Sequence, residues 1–103
     1  MKKTEAEAIV RLLWRDERPL ERTKHFWEKA EKEGYTIQDV RKILRSHSLE
    51  DDPEEDSACG NFVVRLRGKS LDGRDTRLVL GLRHYGPCSV ISIIDVKHTR
   101  KRS

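Results

Sequence analysis

The chain is poor in everything that staples a fold or spans a membrane. Two cysteines, Cys59 and Cys88, make no metal-ligand spacing with each other and allow at most a single disulfide, which the sequence leaves open; a reducing setting is the simplest, and neither a structural metal nor a cofactor is expected. No apolar run approaches the ~18 residues that a membrane helix needs. The Met1-Lys2-Lys3 start leads into a mixed-charge segment rather than a signal-type apolar stretch, and the expectation is a cytoplasmic protein with no membrane partner. Hydrophobic residues make up only 35% against 39% charged, which excludes a large core. The apolar residues nevertheless fall in periodic blocks, which excludes disorder of the whole. Without internal repeats or a composition break that could separate two cores, residues 1–103 read as one domain.

What is present is most regular between Asn61 and Lys97. Phe62, Val64 and Leu66 recur at every second position with Val63, Arg65 and Arg67 between them, the pattern of a half-buried strand over 61–68. After a polar turn containing Asp72-Gly73, the alternation resumes over 75–84, with Thr76, Leu78, Leu80 and Leu82 on one side and Arg77, Val79, Gly81 and Arg83 on the other. A break at His84-Tyr85-Gly86-Pro87 leads into a third strand over 88–97. Its apolar residues sit on nearly every position, so it reads as central with both faces covered.

Ahead of the strands the periodicity is helical. Ala6, Ile9, Val10, Leu13 and Trp14 define a helix over 4–14, with Thr4 and Glu7 spaced as a capping box. Arg15 to Arg22 contains Pro19 and has no period, so it reads as an extended connector with room for a short edge strand. Thr23 can cap a second helix over 24–33 that ends at Gly34, burying Phe26, Trp27 and Ala30. Thr36 and Asp39 open a third over 36–46, lined by Ile37, Val40, Ile43 and Leu44. The segment 49–60 is too acidic and too short of apolar residues for a core element, and is expected to be a mobile loop. The fold class is therefore α+β: N-terminal helices packed on one face of a C-terminal antiparallel sheet of three to four strands.

Charge is distributed unevenly. Residues 1–49 carry +3, residues 50–56 carry −6, and residues 57–103 carry +7. A basic, sheet-bearing half beside a compact acidic segment points to an anionic partner such as nucleic acid. If the alternation holds, Arg65, Arg67, Arg77 and Arg83 project from the same face with Lys69 close by, a bed suited to bidentate phosphate contacts. The competing reading is ordinary solvated charge. For proton transfer the candidates are His25, His84 and His98, with Tyr85 weaker. The competing reading of His25, just inside a helix start, is a bond to backbone or a neighbouring side chain, and only a family resemblance raises it above that. His47 sits near a helix C-terminus, a structural position. Trp14, Phe26 and Trp27 read as core rather than as base-stacking platforms. A sharper expectation is that Glu50 to Asp56 folds back over the arginine face and competes with RNA.

Two local patterns carry a resemblance. Thr23-Lys24-His25, a helix, Gly34 and then Thr36-Ile37-Gln38-Asp39-Val40 looks like the opening of an uncharacterised RelE-like family, whose later Gly-Lys-Ser-Leu-Asp-Gly-Arg phrase is matched by Gly68 to Arg74. The same Gly-x-Ser-x-x-Gly-Arg phrase, followed by two strands and a basic tail, is similar to the BrnT branch of ribonuclease toxins. Over residues 20–98 the chain thus resembles the RelE/ParE toxin superfamily. The resemblance implies a toxin-like RNA-binding protein that acts as a metal-independent endoribonuclease, with a cognate antitoxin as partner. In that reading His25, His84, Arg65 and Arg83 are catalytic, and Arg67, Lys69, Arg77, Lys97 and His98 hold RNA. The alternative is a non-catalytic module of the same fold that grips RNA or a protein, including as a homodimer.

Overall fold

Among the described residues, helical and alternating patterns sort into two layers, three helices against one face of a mixed six-stranded sheet. In a computed structural model, which describes residues 1–56 and 60–96, the order is α1 (Lys3–Trp14), β1 (Leu20–Arg22), α2 (Lys24–Lys32), α3 (Ile37–Arg45), β2 (Ser48–Leu49), β3 (Glu54–Asp56), β4 (Asn61–Lys69), β5 (Asp75–Leu82) and β6 (Cys88–Asp95). The helices come first and the long strands last, as the α+β reading expects. No helix among the described residues is long and apolar enough to cross a membrane.

The sheet is wider than three or four antiparallel strands, and not purely antiparallel. Its order is β1-β6-β5-β4-β2, with β3 paired to β4 as well. The extended connector before α2 supplies β1, which runs parallel to the start of β6 with Leu20 opposite Cys88. The acidic segment, expected to be a loop over 49–60, is partly strand where it is described, and its residues 57–59 lie outside the described residues. Ser48 and Leu49 pair with Arg67 and Leu66, and Glu54 to Asp56 pair with Val63 to Asn61, so the segment forms a broken edge strand along β4. The physical reason is backbone satisfaction. The outer N–H and C=O groups of β4 need partners, and any extended chain can supply them whatever its side chains. Charged residues and Pro53 then suit an edge that must not pair further.

One face of the sheet is buried. Val64 and Leu66 of β4, Leu78, Leu80 and Leu82 of β5, and Cys88, Val90 and Ile93 of β6 meet the apolar stripes of the helices. β5 is the central strand, flanked by β4 and β6. β6, expected to be covered on both faces, is not: a register shift at Val79 and Leu80 leaves Ile91 without a partner in the β5 ladder, and it is 48% exposed. A bulge re-aims the side chain it displaces.

The caps explain where the helices begin. Lys2 caps α1 by donating its N–H to the Glu5 carboxylate at 2.9 Å, two residues ahead of the expected Thr4 box. Glu7 instead meets His47, joining α1 to the end of α3. Thr23 accepts from the Phe26 N–H at 3.1 Å, and the Thr36 N–H donates to Asp39 at 2.8 Å, both as the spacing predicts. α3 packs tightly on β4 at Gly68, where an added Cβ would stand 3.3 Å from Ile43.

Candidate functional site

The uncovered face of the sheet is a ladder of cross-strand pairs between β4 and β5. Arg67 stands directly opposite Arg77, and Arg65 opposite Val79. Lys69 and Asp75 form the rung at one end, while Asn61 and Arg83 lie at the other, where Arg83 donates to Asn61 at 2.8 Å. Alternation thus brings Arg65, Arg67 and Arg77 together, and Lys69 and Arg83 flank them. Val63, Val79 and Gly81 fill the interval before Arg83, so the cationic cluster occupies one end rather than the whole face.

Two guanidinium groups directly opposite each other repel, and a neighbouring carboxylate resolves the repulsion. Arg77 donates to both oxygens of Glu50, Nε at 2.6 Å and Nη2 at 3.2 Å, while Arg67 Nη1 reaches the same carboxylate at 3.3 Å. Glu50 arrives there because its own N–H donates to Arg65 O at 3.0 Å, continuing the pairing of β2. The bonds from Arg77 hold the Glu50 carboxyl below its usual range, and the Arg77 pKa is raised in return. One step along the edge, Glu54 takes Arg65 at 3.0 Å. Asp75 lies 3.7 Å from Arg67 and 3.4 Å from Lys69. The acidic segment does fold back onto the arginine face, and every arginine of the cluster is in contact with a carboxylate.

These pairs are partly screened from water. Side chains of Arg65, Arg67 and Arg77 are 32%, 28% and 33% exposed, and that of Glu50 is 21% exposed, so a displacing ligand can still reach them. Arg67 Nε is buried with no hydrogen-bond partner among the described residues. Residues 1–96 carry 18 Lys+Arg and 18 Asp+Glu, so the formal excess of +4 lies wholly in residues 97–103.

The described histidines do not join the arginines. His25, at the start of α2, lies with Lys29 and Ala30 beside Ile91 to Ile93, in a small cavity of about 50 Å³ between helix and sheet. His84 packs edge-on against Phe62, whose partner across the ladder, Leu82, is fully buried on the helix side. His47 bridges Leu44 O and Glu7, the structural role expected of it. Lys97 and His98 lie outside the described residues. Among the described residues, then, the arginine cluster has no histidine beside it. No group of three or more His, Cys, Asp and Glu among them is placed to hold a metal ion.

The phrase Gly68 to Arg74 has a different job. Ser70 is fully buried; its hydroxyl accepts from the Arg74 N–H at 3.0 Å and bonds Asp72. Asp39, 4% exposed, accepts from the Leu71 N–H at 2.8 Å while also closing the N-terminus of α3. Arg74 stacks 4.1 Å above the Tyr35 ring and donates to Glu33 O at 2.7 Å and Gly34 O at 3.2 Å, satisfying carbonyls at the end of α2. Thr76 donates to Arg74 O, which leaves its oxygen to accept from the Tyr35 hydroxyl at 3.0 Å. Sequence reasoning missed this clasp, although its signal was present: the two patterns that carried the resemblance, Gly34 to Asp39 and Gly68 to Arg74, are its two halves.

Set against known proteins, the chain matches no family model, no curated protein and no solved structure.

Proposed function

We propose that the protein is a non-catalytic RNA-binding module whose arginine cluster takes phosphate in place of its own carboxylates. The observation that carries this reading is the meeting of Arg67 and Arg77, opposed in register, on the single carboxylate of Glu50. A sheet selected only for stability sets opposite charges or apolar residues across such a rung. Local rules are broken where function requires it. A carboxylate and a phosphate present guanidinium with the same paired oxygens, so what Glu50 fills is an oxyanion site.

Magnitudes decide whether phosphate can displace it. A partly exposed ion pair is worth about 1 kcal/mol or less, whereas a polyanion offers several phosphates and releases counterions at each contact. The cationic end of the ladder, from Lys69 to Arg65, spans roughly 14 Å, room for more than one phosphate. Cleavage is a separate demand, because a general base must stand about 3 Å from the hydroxyl it activates. His25 and His84 sit on the helix side, so the described face binds without supplying that base.

The test is filter retention of a labelled 20-nucleotide poly(U) by the intact protein across a salt series, with a parallel digestion of total RNA in EDTA. Binding that falls steeply with salt, rises in E50Q and leaves the RNA uncut supports the reading. Salt-insensitive retention, or affinity unchanged by E50Q and lost in neither R67A nor R77A, overturns it. Cleavage would return the endoribonuclease reading to first place.

A further inference from the structure

A second cationic surface lies on the helical side, away from the arginine cluster. The outward flank of α3 carries Gln38, Arg41, Lys42 and Arg45 between Trp14 at the end of α1 and Leu71 on the β4–β5 turn, enclosing a groove of about 640 Å³. Its charge is far less balanced than that of the sheet. Arg41 is held by Asp16 at 3.2 and 3.1 Å, but Lys42 spends its ammonium on a neutral carbonyl, Ser70 O, at 3.0 Å. Arg45 has no hydrogen bond or ion pair among the described residues. Three cations line the groove against one contacting carboxylate.

The apolar part is equally specific. Leu71 is 61% exposed although its N–H is fixed by Asp39, so a leucine is held out into solvent on a rigid turn that needs no leucine for its own bonds. Trp14, half-buried, has the Arg15 guanidinium 5.6 Å over its ring, which occupies a face that a base would stack on. An aliphatic tip and a ring already stacked favour a protein over a nucleic acid.

We infer that this groove docks an acidic amphipathic segment of a partner protein, its apolar residue lodging against Trp14 and Leu71 and its carboxylates meeting Arg45 and Lys42. Charge complementarity selects the partner, and the apolar contact supplies the buried anchor that such interfaces need. The surface is independent of the RNA reading, and so is the peptide titration that tests it; poly(U) serves only to tell the two surfaces apart.

The probe is a fluorescein-labelled 16-residue peptide built from glutamate and leucine, with leucines on one helical face, titrated with the full chain by anisotropy. Arg45→Glu and Leu71→Ser change exposed side chains, and unfolding curves establish that both variants fold. The expected result is measurable peptide binding, weakened roughly tenfold by Arg45→Glu and several-fold by Leu71→Ser, with poly(U) retention unchanged in both. Glu50→Gln should leave peptide affinity as it is. Absence of peptide binding up to about 1 mM, or equal affinity in wild type and both variants, overturns the inference. Loss of poly(U) retention in Arg45→Glu without loss of peptide binding overturns it in favour of a nucleic-acid groove.

Discussion

Arg74 and Arg77 are three residues apart and stand for two regions built on opposite terms. In the clasp, Arg74 meets its near neighbour Asp72 at 3.0 Å and is also stacked on Tyr35 and bonded to the Glu33 and Gly34 carbonyls of the α2–α3 corner. In the arginine face, Arg77 depends on one carboxylate delivered by an edge strand, and shares it with the arginine across the ladder. The first arrangement divides one guanidinium among a carboxylate, two carbonyls and a ring, so displacing Asp72 alone would not free it. The second balances charge with charge at a surface water can reach, so another anion can substitute. An arginine within a recognisable phrase is therefore structural here, and one outside any phrase is the better candidate for binding.

The comparison breaks most sharply at Asp39. Replacing it with alanine leaves the Leu71 and Thr36 N–H groups without their acceptor at a nearly buried position, and should cost about 3 kcal/mol in a urea unfolding curve. Poly(U) affinity of the folded fraction should not move. If stability stays within 0.5 kcal/mol or so of wild type, a surface effect by the usual standard, the clasp does not hold the turn to the helices.

On the other side, E50Q should raise poly(U) affinity about tenfold and steepen its salt dependence, because Arg67 and Arg77 lose the charge that occupies them. R77A should do the reverse, reducing the salt slope by about one phosphate contact. Equal slopes in the two variants would make the cluster ordinary solvated charge. Tyr35→Phe returns to the clasp with a smaller effect: the hydroxyl lost from Thr76 is worth about 1 kcal/mol, read as a lower midpoint in urea with RNA retention intact.

The legible parts of the fold were those where one period governs. Thr23, Thr36 and Gly34 place the ends of α2 and α3, and alternation from Phe62 to Leu82 sets both buried and open faces of the hairpin. Glu50 to Asp56 was legible by side chain but not by backbone. Acidity suggested that it would meet the arginines, yet composition says nothing about an edge strand, because β4 recruits main-chain groups whatever residues carry them. The edge strand β1 was legible in the extended connector around Pro19, but its parallel pairing with β6 and the exposed Ile91 were not, since a parallel contact and a bulge depend on distant partners. Asp75 was readable in principle, as the hairpin register sets it opposite Lys69. Arg41 and Arg45 were hidden because only the tertiary packing of α1 and the β4–β5 turn makes their helix flank concave.

Proton linkage separates the two regions most finely. Bonds from Arg77 lower the Glu50 pKa in the fold, so the stability it contributes is fully present above the unfolded glutamate value of about 4.3 and is lost as pH falls through the lower folded value. E50Q has no such group to titrate. The stability gap between wild type and E50Q, about 1 kcal/mol or less at pH 7, should therefore shrink below roughly pH 4 and close once Glu50 is protonated. Over the same window the poly(U) affinity of wild type should climb toward that of E50Q, since a neutral Glu50 no longer competes for Arg67 and Arg77. The clasp variant Tyr35→Phe removes no group that titrates there, and its gap to wild type should stay constant. Parallel curves for wild type and E50Q would mean that the carboxylate is not what holds the arginines closed.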